Sequence, residues 1–241
     1  MRAALLLALA LSLAACINVS WGDGEPVEGS GTVDTRTVDV SDVRTVRFAT
    51  PGTLVIERGA SPLEIEGDDN VIARVVAEVR GDGQLVIEAE DGYSLRPEAP
   101  LRYRVGVDGL EGIEVAGSGR VEARGAEADE FTVEIAGSGG ADVSDVRADA
   151  VRVAVAGSGD VALAGRTGWL AVEIAGSGDI DAVELAADEA EVNIAGSGDV
   201  ALRAEKTLDV SVAGSGDVRY YGSPEVSRSI MGSGDVMRAG E

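Results

Sequence analysis

The tripeptide Gly-Ser-Gly returns with its first glycine at Gly117, Gly137, Gly157, Gly176, Gly196, Gly214 and Gly232, at intervals of 18 to 20 residues. A unit that short and that evenly spaced requires stacked repeats, each packed on its neighbours. Around the anchor the columns align without gaps. Two residues before it stand Val115, Ile135, Val155, Ile174, Ile194, Val212 and Ile230. Four before it stand Ile113, Val133, Val153, Val172, Val192 and Val210, with Arg228 in the last copy. The positions between are polar or small, and apolar alternation with a period of two, rich in β-branched residues, is a half-buried strand. After the turn the alternation resumes at Val121, Val161, Ile180, Val200, Val218 and Val236. Two strands and a return path in so few residues are too little for a four-stranded propeller blade and carry no helical period. The pattern predicts an all-β fold: a parallel β-helix, or β-solenoid, of about seven coils over residues 113–241, right-handed like nearly all parallel crossovers.

Composition agrees. A narrow interior repeated coil after coil accepts stacked aliphatic rows but few rings, and the 241 residues include only 2 Phe, 4 Tyr and 2 Trp against 33 Gly. The chain has no His and 1 Cys, which removes imidazole catalysis, imidazole metal ligation and any internal disulfide framework. With 43 acidic and 20 basic residues the net charge is −23, unsuited to nucleic acid, whose phosphates need Lys and Arg.

Residues 36–112 lack the repeat but still read as β. Runs such as Thr45-Val46-Arg47-Phe48, Leu54-Val55-Ile56-Glu57 and Gln84-Leu85-Val86-Ile87 are separated by the turn signals Pro51-Gly52, Gly67-Asp68-Asp69-Asn70 and Gly81-Asp82-Gly83. Asp69 to Arg74 suggests one helical turn. This segment is expected to cap the first coil, whose apolar end and free edges need cover. At the other end Arg228, Met237 and Arg238 break the apolar columns, as a terminal coil requires.

Residues 1–15 read as a secretory signal, with Arg2 followed by an apolar run and small residues. Leu13-Ala14-Ala15-Cys16 resembles a bacterial lipobox, and the resemblance implies that Cys16 becomes the first mature residue and carries the lipid. It further implies an envelope protein held to the membrane by that lipid. Ile17 lacks the Asp of inner-membrane retention, which favours the outer membrane in a Gram-negative host. Residues 16–35, rich in Gly, Asp and Ser, read as a lipidated flexible tether.

Over residues 36–238 the chain resembles the bacterial family called the putative auto-transporter adhesin head GIN domain. The resemblance is carried by Ile65-Glu66-Gly67-Asp68-Asp69-Asn70, by the serial Ala-Gly-Ser-Gly-Asp-Val units, and by Gly216 to Pro224 followed by Ile230 to Val236. It implies a secreted, often lipid-anchored β-solenoid without a known activity, and supplies no catalytic residues.

Two features invite a chemical role. Asp160, Asp179, Asp199, Asp217 and Asp235 follow successive turns and would stack as a ladder. Stacked carboxylates suit calcium, but at about 5 Å in water two such charges repel by under about 1 kcal/mol, so the ladder is tolerable without metal and solvated turn residues binding local amides are the preferred reading. Trp169, Tyr220, Tyr221 and Arg166 depart from the repeat, and the aromatics could stack on a sugar. The expectation is a non-enzymatic envelope scaffold or adhesion module that meets an unknown protein or glycan, with a carbohydrate- or calcium-binding protein as the alternative.

Overall fold

A computed structural model describes residues 24–81 and 83–240. The repeat lies in β10 (Gly112–Gly117), β11 (Arg120–Arg124), β12 (Glu127–Gly137), β13 (Gly140–Gly157), β14 (Asp160–Gly176) and β15 (Ile180–Gly196). It continues through β16 (Val200–Gly214), β17 (Val218–Tyr221), β18 (Glu225–Gly232) and β19 (Val236–Gly240). Before it come β1 (Glu25–Glu28), β2 (Val33–Val38), β3 (Thr45–Ala49), β4 (Thr53–Arg58) and β5 (Ser61–Asp68). The helical turn α1 (Asp69–Ile72) follows, then β6 (Val75–Arg80), β7 (Gln84–Ala89), β8 (Tyr93–Arg96) and β9 (Arg102–Val107).

The sequence columns become the walls of a β-solenoid of stacked parallel coils. On the first wall, Val115, Ile135, Val155, Ile174, Ile194, Val212 and Ile230 lie in register. On the second, Val121, Ala141, Val161, Ile180, Val200, Val218 and Val236 do the same. A third wall returns the chain, and register shifts after Val143, Ala162 and Ala182 absorb the unequal repeat lengths. The corner between the first two walls explains the glycines. Gly176 has φ +144°, and a Cβ there would sit 2.0 Å from the Gly157 oxygen of the coil beneath. Coils can therefore stack at strand spacing only if this position has no side chain.

The N-terminal segment is more than the expected cap, because four of its strands belong to the stack itself. In β3 and β4, Phe48 pairs with Val115 and Leu54 with Val121, so Thr50-Pro51-Gly52 replaces Gly-Ser-Gly at the corner. Beneath them lie β7 and β9, with Ile87 under Phe48 and Tyr103 under Leu54. Stack order thus departs from chain order, since residues 84–107 lie below residues 45–58, on which residues 112–124 rest. The closing layer is antiparallel, with β6 on β7, β5 on β9 and β2 on β5. The buried rings of Phe48 and Tyr103 meet edge to face at 5.0 Å in this region.

Within the range 16–35 expected as a tether, the described residues include ordered strand. Residues 25–28 form β1, parallel to β8, and β2 begins at Val33. What fixes this stretch is Asp68, fully buried, whose Oδ1 accepts the Gly31 N–H at 2.8 Å and whose Oδ2 accepts those of Glu98 and Ala99 at 2.8 and 2.9 Å. The Ala99 amide foremost, with those of Gly31 and Glu98, holds the Asp68 carboxyl below its ordinary range despite burial. Beside it Asn70 donates to the Glu28 carbonyl at 2.7 Å and accepts the Ser30 N–H at 3.0 Å. The expected signal and Cys16 lie outside the described residues.

Candidate functional site

In the aspartate ladder, each carboxylate serves the coil above it. The Oδ1 atoms of Asp160, Asp179, Asp199 and Asp217 accept the backbone N–H of the next aspartate, at 3.2, 2.9, 2.9 and 2.9 Å. Where the column holds Gly140, the N–H goes instead to the Gly119 carbonyl at 3.0 Å, and Asp160 likewise donates to the Gly139 carbonyl at 3.2 Å. The aspartates thus replace one stacking bond with a charge-assisted one, as local amide acceptors do in turns. Asp235 ends the ladder without an amide above it among the described residues. No cluster of three or more Asp, Glu, Cys or His side chains is placed to hold a metal ion among the described residues.

A second feature lies on the outward face of the second wall, where the sequence had drawn attention only to inward columns. Small side chains at Ala162 and Ala164 and the outward Val55 and Val183 floor a cleft of about 800 Å³. Its rim carries Glu57, Glu122, Asp142, Asp181 and Glu184, with Arg124 and, to one side, Tyr221. Asp142 pairs with Arg120 at 2.8 Å, and Arg124 with Asp145 at 2.8 Å. The outward positions five and seven residues past each first glycine carried this signal, through their run of small residues between larger ones.

The aromatics are not brought together. Tyr220 occupies the inward column above Leu202 and packs on the core, whereas Tyr221 faces outward beside Arg203, whose guanidinium carbon is 5.7 Å from the ring centre. Trp169 lies on the third wall, with the guanidinium carbon of Arg152 from the coil beneath 4.7 Å from its ring centre. Arg166 is exposed on that wall, in register with Arg147. On the first wall, burial pushes the Glu114 carboxyl up from its ordinary value, partly offset by Arg47 and reinforced by Glu134 one coil above. Among the described residues no helix is long and apolar enough to cross a membrane.

The family described as putative auto-transporter adhesin, head GIN domain, matches residues 42–224. A putative adhesin from Bacteroides fragilis NCTC 9343 superposes with a TM-score of 0.82 at 27% identity, covering 87% of this chain and 98% of that one. A putative lipid binding protein from Parabacteroides distasonis ATCC 8503 gives 0.71 at 28% identity, covering 89% and 100%. A putative adhesin from Parabacteroides merdae ATCC 43184, at 19% identity and a TM-score of 0.65 over 89% and 100%, shares the fold. None of the curated proteins matches.

Proposed function

Since the chain belongs to the head GIN domain family of putative auto-transporter adhesins, we propose that it is a non-enzymatic adhesion module of the bacterial cell envelope, anchored through a lipid on Cys16. The observation that carries this reading is the register of the stack. The corner with its exposed serine recurs coil after coil, so this edge offers many similar weak contacts, whose sum binds through multivalency. The parallel levels from β7 to β18 extend about 40 Å at strand spacing. Residues 1–23 join the fold at Gly24, near β8 in the lowest coil, so a lipid at Cys16 would attach to the end opposite β18 and β19. The absence of Asp at position 17 supports outer-membrane sorting in a Gram-negative host.

Metabolic palmitate should label the wild type and not Cys16→Ser, and label that persists in the variant overturns the anchor. Beads densely coated with the protein should retain intact cells far better than sparsely coated ones. Equal retention at both densities would contradict multivalent adhesion.

A second reading is glycan binding in the cleft of the second wall, favoured by Tyr221 beside the rim carboxylates. An aromatic face with carboxylate acceptors suits a sugar's apolar face and hydroxyls. A glycan array on which the wild type gives no signal would remove it.

A further inference from the structure

The cleft on the second wall exists because one coil has short outward side chains where its neighbours have long ones. In one outward column Ala162 stands between Asp142 beneath and Asp181 above, and in the next Ala164 lies below Glu184. The flanking coils are two strand spacings apart, about 10 Å, with an alanine floor between them. Val55 and Val183 extend that apolar floor.

The charges around the notch are unevenly met. Toward Glu57 the cleft opens on a corner pocket in which Arg58 pairs with Glu127 at 2.9 Å, Arg124 pairs with Asp145 at 2.8 Å, and Arg147 shares the lining with Glu57. There guanidinium and carboxylate groups balance. Asp142 is paired with Arg120. Glu122, Asp181 and Glu184 are exposed and have no ion-pair partner among the described residues. Above them Arg203 turns to Glu205 at 3.9 Å and lies beside Tyr221, while Arg219 is two coils above Asp181.

Carboxylates accept hydrogen bonds and donate none, so an occupant of the notch must bring donors, and charged donors bind them most strongly. An extended peptide suits the notch poorly. β14 is paired on both sides, by β13 and β15, so the floor offers no strand edge to a peptide backbone, whose carbonyls would face carboxylates. A sugar ring can lay an apolar face on the small aliphatic floor and turn its donors to the rim. An acidic sugar would meet like charge in the notch and over a chain of net charge −23. We infer, resting on the glycan reading of this same cleft, that its sugar carries protonated amines: a linear oligomer of a free hexosamine, with ammonium groups against Asp181 and Glu184.

The test is calorimetric titration of the full chain, in mild acid that keeps amines protonated and carboxylates ionised, with a glucosamine oligomer and with the N-acetylglucosamine oligomer of equal length. The free-amine oligomer is expected to bind about tenfold more tightly, or better. Asp181→Asn with Glu184→Gln should weaken it roughly tenfold, with an unchanged melting curve because both side chains are exposed. Glu191→Gln with Asp209→Asn removes the same charge from exposed positions on the first wall and should leave binding as it is. An equal loss in both double variants would show a response to overall charge alone and overturns the cleft as the amine site. If the two oligomers bind alike and the cleft variant weakens both, the amine assignment fails while the glycan reading stands. Binding of neither oligomer also overturns the amine assignment, and a neutral or acidic glycan captured on the array would then keep the broader reading.

Discussion

At its N-terminal end the stack finishes in antiparallel strands laid along its two lowest parallel edges, while at its C-terminal end the last described strands, β18 and β19, are parallel like the coils beneath them. The closed end carries Phe48, Tyr103, Leu63 and Ile65 at full burial, together with a buried carboxylate tied to three amides. The other end has two arginines over the last aliphatic layer and an outward row of Glu225, Ser227, Ser229 and Met231. Both ends remove apolar core from water, and both finish in strands paired on one side among the described residues, β2 and β6 at the first and β18 and β19 at the second. The difference teaches that a solenoid can cover its core either with added antiparallel strands or with inward side chains of its last coil, and that edge strands remain in both cases.

Side-chain deletion should expose this contrast most strongly. Phe48→Ala at the closed end is expected to cost about 3–5 kcal/mol, and Val236→Ala in the last coil about 1 kcal/mol, read from denaturant melts of the two variants. Comparable losses would contradict a well-packed closed end and a lightly packed last coil.

Asp68→Ala should come next, leaving the amides of Gly31, Glu98 and Ala99 without their acceptor in a buried site. Protease cleavage near residues 24–31 should rise in this variant while the repeat stays protected. The acid response has a definite sign. Because the folded carboxyl titrates below its unfolded value near 3.8, its stabilisation is complete above that pH and is lost as pH falls through the lower folded value. The wild type should therefore lose stability in that acid window, and Asp68→Ala should lose less.

The aspartate ladder gives a finer comparison. Asp199→Ala removes the acceptor of the Asp217 N–H and should cost about 1 kcal/mol, whereas Asp235→Ala, with no amide above it among the described residues, should be nearly neutral. Equal effects from the two would show that the carboxylates do not act by bridging coils. Smallest of all is the expected response to calcium: a melting midpoint the same in calcium and in chelator. A rise with calcium would give the ladder a cation after all.

The repeat was legible in the sequence because each inward column is spelled out by six or seven near-identical residues, and a parallel stack converts such columns directly into rows. The two lowest coils were not, although the phase was present. Phe48 and Leu54 flank Pro51-Gly52 at the same separation as Val115 and Val121 flank their turn. The tripeptide was missing there, and β7 and β9 are further separated by β8, so no column ran through them. Asp68 lay within a recognisable motif, but its three amides come from residues 31, 98 and 99, which only the fold brings together. The cleft escaped for a different reason: outward positions vary from coil to coil, and shape arises from small residues beside large ones.

The displaced order of the lowest coils has a consequence for how the chain reaches its native state. Neighbouring repeats close loops of 18 to 20 residues, whereas Arg44 meets Glu111 across a separation of 67. The longer closure costs about 1 kcal/mol more in chain entropy, and β3 and β4 cannot acquire their upper neighbours until residues 112–124 exist. During synthesis from the N-terminus, the part of the molecule that becomes most tightly tied would wait, incomplete, for sequence that emerges later. The repeat needs no such delay, since every new coil finds its template already in place.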